Sequence, residues 1–72
     1  MSNYEELANA IVVQAVVDYR IAAKRLEKHP QDKTQKHTQQ EVLRFFRSDW
    51  FGILTTLDPE VIIEKLAKEV AE

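Results

Sequence analysis

The chain has no cysteine, one glycine and two prolines among its 72 residues. Without cysteine, disulfides and thiolate metal sites are excluded. So little glycine and proline argues against a turn-rich sheet fold and against disorder. Serine is also scarce: Ser2 and Ser48 are the two, and both sit where a helix cap is expected. There is no glycine-rich phosphate loop and no His-Glu-x-x-His pattern. His29 and His37 lie eight positions apart, outside any carboxylate pattern of a metal site. These absences remove the nucleophiles, bases and ligand sets of the common enzyme classes. The expectation is a non-enzymatic protein with no cofactor and no small-molecule ligand. The longest apolar tract is interrupted by Gln14 and Asp18, which excludes a bilayer-spanning helix. The amino terminus, Met1-Ser2-Asn3-Tyr4-Glu5-Glu6, lacks the basic start and apolar run of a signal peptide, so the cytoplasm is the expected compartment.

What remains is an apolar, charge-rich composition suited to helices. Residues 1–72 read as a single helical domain. A chain of this size buries only roughly 60–65% of the surface its unfolded form exposes, so small domains need a further source of stability. With disulfides and thiolate metals excluded, packing against a partner or self-association is the one left.

Local signals divide the chain into helices. Ser2-Asn3-Tyr4-Glu5 reads as a capping box, and no glycine or proline follows until His29-Pro30. The first helix is therefore expected to run to about Lys28, nearly 40 Å at 1.5 Å per residue. A second helix should start at Asp32 or Thr34 and run to Arg47. Ser48 or Asp49 can cap a new turn through Trp50, Phe51, Ile53 and Leu54, although Gly52 weakens it. Asp58-Pro59-Glu60 combines a capping acid, proline at the first helical position and acid in the first turn, so a last helix should run to about Ala71. Nothing alternates with period two. The expected fold is all-α: a small three- to four-helix bundle built on a long N-terminal helix, an antiparallel hairpin with the C-terminal helices folded across it.

The first helix carries two apolar faces. Tyr4, Ala8, Ile11, Val12, Ala15, Tyr19, Ala22 and Leu26 make an ordinary core stripe. Val13, Val17 and Ile21, with Ala10 beside them, fall on the opposite side, where a surface helix should be polar. Two readings are open. Either the last helix or the 50–57 segment covers this second stripe, or it is an interface for a second copy or another protein.

Charge is sorted along the chain. Residues 1–19 carry a net −3, and residues 20–47 carry eight basic against three acidic side chains. Residues 48–72 return to a net −4. Lys33, Lys36, Arg44 and Arg47 share one side of the second helix and are candidate contacts to nucleic-acid phosphates. The competing reading pairs the basic hairpin tip with the acidic last helix, within the molecule or across a dimer. The overall pI of about 5.7 is low for a dedicated nucleic-acid domain. The segment that would have to enter a groove, residues 50–57, is apolar and offers only Thr55 and Thr56 for reading bases.

Four of the six aromatic residues fall within seven positions, Phe45-Phe46-Arg47-Ser48-Asp49-Trp50-Phe51. Val42, Phe46 and Trp50 have core spacing at i, i+4 and i+8, whereas Trp50 or Phe51 could project at the helix break as a partner anchor. Arg47 and Asp49 belong at the rim, where they could pair with each other or with Asp18 and Arg20. The opening Tyr4-Glu5-Glu6-Leu7-Ala8-Asn9-Ala10-Ile11, the later Asp18-Tyr19-Arg20, the run Glu41 to Phe51 and the following Leu54-Thr55 together resemble short uncharacterised proteins encoded by phages, prophages and mobile elements of Gram-positive bacteria. The resemblance spans most of the chain and carries no catalytic or binding residues. It implies a binding role toward a host or phage macromolecule. The expected function is thus a helical interaction protein acting as a homodimer through Val13, Val17, Ile21, Trp50 and Phe51. The alternative is a nucleic-acid accessory factor using the 20–47 segment.

Overall fold

In a computed structural model, residues 3–71 are described, with side chains to Glu69. Four helices follow in order: α1 (Asn3–Lys28), α2 (Lys33–Phe46), α3 (Asp49–Leu54) and α4 (Pro59–Ala71). Among the described residues there is no strand. The expected capping by Ser2 lies outside the described residues.

Each break has a local cause. The turn after α1 is closed by the His29 amide on the Arg25 carbonyl at 2.9 Å and the Asp32 amide on the His29 carbonyl at 3.0 Å. Pro30 sits within it and keeps His29 out of helical geometry. Asp32 then caps α2 by accepting from the Thr34 and Gln35 amides at 3.0 and 3.2 Å. Ser48 is a double stop: its hydroxyl donates to the Phe45 carbonyl at 2.6 Å and accepts from the Phe51 amide at 3.3 Å. It therefore ends α2 and starts α3. At the head of α4 the Asp58 carboxylate accepts from the Glu60 amide at 2.9 Å, with Pro59 as the first helical residue.

α1 and α2 form an antiparallel hairpin, with Ile11, Ala15 and Asp18 facing Glu41, Val42 and Phe45. α4 lies along both. Its start is tied to the end of α2 by Arg47–Glu60 at 3.3 Å, and its end to the middle of α1 by Arg20–Glu69. The core is Val12, Val42, Phe46, Phe51 and Leu66, with Ala15, Val16, Tyr19, Phe45, Leu54, Ile62 and Ile63 packed around it. Phe45, Phe46 and Phe51 form a ring triangle with centroid separations of 5.5–5.8 Å, two of its contacts edge-to-face. Ala8, Ala22 and Ala23 are buried on α1, where small side chains let neighbouring helices approach closely.

Three core assignments need correction. Trp50 does not continue the Val42–Phe46 face. Ser48 interrupts the helix, the chain restarts with a new rotation, and Phe51 turns inward instead. Tyr4 is 63% exposed at the amino-terminal end of α1 rather than part of the core. Val16 and Ala23 join the buried side because α4 widens the covered arc of α1.

Candidate functional site

α1 has 26 residues, whereas its neighbours α2 and α4 have 14 and 13. At about 100° per residue, α2 covers the side bearing Ile11, Ala15 and Asp18, and α4 covers the side bearing Tyr19, Ala23 and Glu27. The arc between them stays bare, and it is the arc that carries the second apolar stripe. Val13 is 59% exposed, Ile21 43% and Val17 37%. Neither α4 nor residues 50–57 cover it, so the reading that placed the stripe under the monomer's own C-terminal helices is wrong. Two short neighbours cannot enclose a long helix on all sides.

The aromatic candidates separate. Phe51 is 1% exposed at the centre of the core, so it is not an interface residue. Trp50 is 51% exposed. It stands with Tyr4 and Leu7 around a cleft of about 60 Å³ floored by Ala8, Ile11 and Leu54. Tyr4 and Leu7 are themselves exposed, making a small aromatic corner at the amino-terminal end of α1. Tryptophan and tyrosine are among the side chains most enriched at binding hot spots. The sequence pattern missed Tyr4 and Leu7 because one belongs to the expected core stripe and the other to neither stripe.

Within residues 20–47, Arg20, Arg44 and Arg47 meet acids, whereas Lys24, Arg25, Lys28, Lys33 and Lys36 have no ion-pair partner among the described residues. Arg47 pairs with Glu60, and Arg44 with Glu41 at 3.1 Å, Glu41 also lying 3.8 Å from His37. Arg47 therefore meets the last helix rather than Asp49, and Arg20 meets Glu69 rather than the aromatic rim. Asp18 instead accepts from the Gln14 amide at 2.8 Å. Lys33 and Lys36 are exposed on α2. The Arg20–Glu69 contact is bidentate, Nε at 2.9 Å and Nη2 at 2.8 Å. The Arg20 hydrogen bonds hold the Glu69 carboxyl below the usual glutamate range, against an opposing loss of hydration, and the same bonds raise Arg20. Both groups stay about half exposed, so the pair fixes the end of α4 without constituting a buried charge.

Among the described residues no group of three His, Asp or Glu side chains could hold a metal ion, and no helix is long and apolar enough to cross a membrane. No protein-family model, curated protein or solved structure matches the chain. The site is thus defined by its own geometry: an uncovered apolar stripe on α1 and an aromatic corner beside α3.

Proposed function

We propose that this chain is a non-enzymatic helical interaction protein, of the phage or mobile-element type that its sequence resembles, which works by binding another protein. The observation that carries the reading is the bare stripe of Val13, Val17 and Ile21 on a helix whose other two sides are packed. Each of the three side chains is roughly half uncovered. Covering all three recovers about 2–4 kcal/mol, at roughly 1.5–3 kcal/mol for complete burial of each. That is a large fraction of the stability of a 72-residue domain, about 4–11 kcal/mol at the usual value per residue. Trp50, with Tyr4 and Leu7, offers a second contact at one end of the same helix. The pairing of Arg44 and Arg47 with Glu41 and Glu60 weighs against phosphate binding as the primary role, since those acids would have to be displaced first.

The test is capture of binding partners by the wild-type chain and by Val17→Lys and Trp50→Ala, each first shown to keep its helicity by circular dichroism. Partners retained by the wild type should be lost from one or both variants. Capture that is indifferent to both substitutions contradicts the reading.

A further inference from the structure

We propose that the α1 stripe is filled by a second copy of this chain, packed antiparallel about a two-fold axis through Val17. The assignment rests on reading the stripe as an interface, and it follows from the spacing and charge of the residues along it. Ala10, Val13, Val17 and Ile21 are continued on the same line by Glu6 toward the amino terminus and by Lys24 and Lys28 toward the carboxyl end of the helix. Counted outward from Val17, the steps are four, three and four residues in both directions. Such a line exists around any helical position; what is particular here is that Val17 is the centre of the apolar part, so a copy reversed about it places residue 17−k opposite residue 17+k.

Val17 then meets Val17 on the axis, and Val13 meets Ile21 on either side. Ala10 meets Lys24, a small side chain under a long aliphatic stem. Glu6 meets Lys28, so each end of the pair closes on opposite charges. An isologous contact needs this self-complementarity. A parallel pair would instead set Glu6 against Glu6, Lys24 against Lys24 and Lys28 against Lys28, and like charges in register oppose pairing. All of these side chains are exposed, and Glu6, Lys24 and Lys28 have no ion-pair partner among the described residues. Their charges are therefore available to a second molecule. α2 packs on the side of α1 bearing Ile11, Ala15 and Asp18, and α4 comes near the line only beside Lys24, which shares a groove with Leu66 and Glu69, so Val13, Val17 and Ile21 stay open to a second copy.

The chain has no cysteine, so introduced thiols are unambiguous probes. Under mild oxidation Val17→Cys should cross-link to itself. Val13→Cys alone should not, and Val13→Cys with Ile21→Cys should. Cross-linking of Val13→Cys alone overturns the antiparallel arrangement, because only a parallel or unregistered pair brings two copies of residue 13 together. Charge reversal supplies an independent arm. Glu6→Lys and Lys28→Glu should each weaken dimerisation by about threefold to tenfold, and the double variant should return to within about twofold of wild type. Single variants that weaken the dimer with no rescue in the double variant also overturn the register. A wild-type chain that stays monomeric while partner capture remains sensitive to Val17→Lys overturns the second-copy assignment and leaves the interface reading intact.

Discussion

Replacing the neighbours Trp50 and Phe51 separately by alanine tests how the chain is built, because the two residues exchange roles depending on whether the helix continues through Ser48. In the structure Phe51 is enclosed by Phe45, Phe46 and the core around Leu66. Trp50 is half exposed beside Tyr4 and Leu7. Truncating a buried phenylalanine costs about 3–5 kcal/mol, of which the two edge-to-face ring contacts are part. For a 72-residue domain with about 4–11 kcal/mol in total, Phe51→Ala removes between about a quarter and all of the stability. Trp50→Ala should cost about 1 kcal/mol, since half of the indole is already in water. The assay is urea unfolding followed by helical circular dichroism, which does not depend on the tryptophan. With a slope of about 1 kcal/mol per molar urea for a chain this small, Phe51→Ala should lower the midpoint by about 3 M or leave the chain unfolded. Trp50→Ala should lower it by about 1 M. A Trp50→Ala variant as damaged as Phe51→Ala, or more so, would mean that the aromatic segment is one continuous helix with tryptophan on its core side.

Gly52 has a helical backbone with φ below zero, and a methyl group added there meets no atom within 4 Å. Gly52→Ala should therefore raise stability by about 0.5–1 kcal/mol in the same unfolding assay. The Glu69 carboxyl is depressed in the folded state, so the stability it contributes is present above the ordinary glutamate value and is lost as pH falls through the lower folded value. Thermal scans should show Glu69→Gln less stable than wild type near neutral pH and level with it once both are below that folded value. A gap that persists at the acid end would assign the difference to something other than the Arg20–Glu69 pair. With Arg44 and Arg47 already paired, the wild-type chain should not bind a generic DNA duplex even at low salt. Salt-sensitive binding abolished by Arg44→Glu with Arg47→Glu would assign Lys33, Lys36, Arg44 and Arg47 to phosphate contacts instead.

The helices were legible in the sequence because their ends are written in short-range chemistry. Asp32, Ser48 and Asp58 cap through amides two or three positions away, and Pro30 and Pro59 act on their immediate neighbours. The second stripe on α1 was legible too, since Val13, Val17 and Ile21 repeat at helical spacing. What lay out of reach depends on contacts between distant segments. Arg20 and Glu69 are 49 positions apart, and nothing local marks them as partners. Val16 and Ala23 become buried because α4 packs beside them, which no pattern within α1 indicates. The exchange of Trp50 for Phe51 has a subtler cause. The cap at Ser48 was visible, but the rotation it imposes on the following turn depends on how α3 lands against α1 and α2. The complementary Glu6 and Lys28 are plain in the sequence, yet they acquire meaning only once α2 and α4 are seen to leave their side of α1 bare.

The claim that α1 presents a working interface to a second copy is tested most directly by static light scattering of the wild type and Val17→Lys across concentration. Burying the stripe on both copies recovers about 4–8 kcal/mol, a gain that the cost of association largely consumes, so the pair is weak and forms only at high concentration. At about 500 µM the wild type should therefore scatter mostly as a dimer, while Val17→Lys should remain a monomer with unchanged helicity. A wild type that is monomeric at that concentration, or a Val17→Lys variant that loses its helicity, would contradict the account.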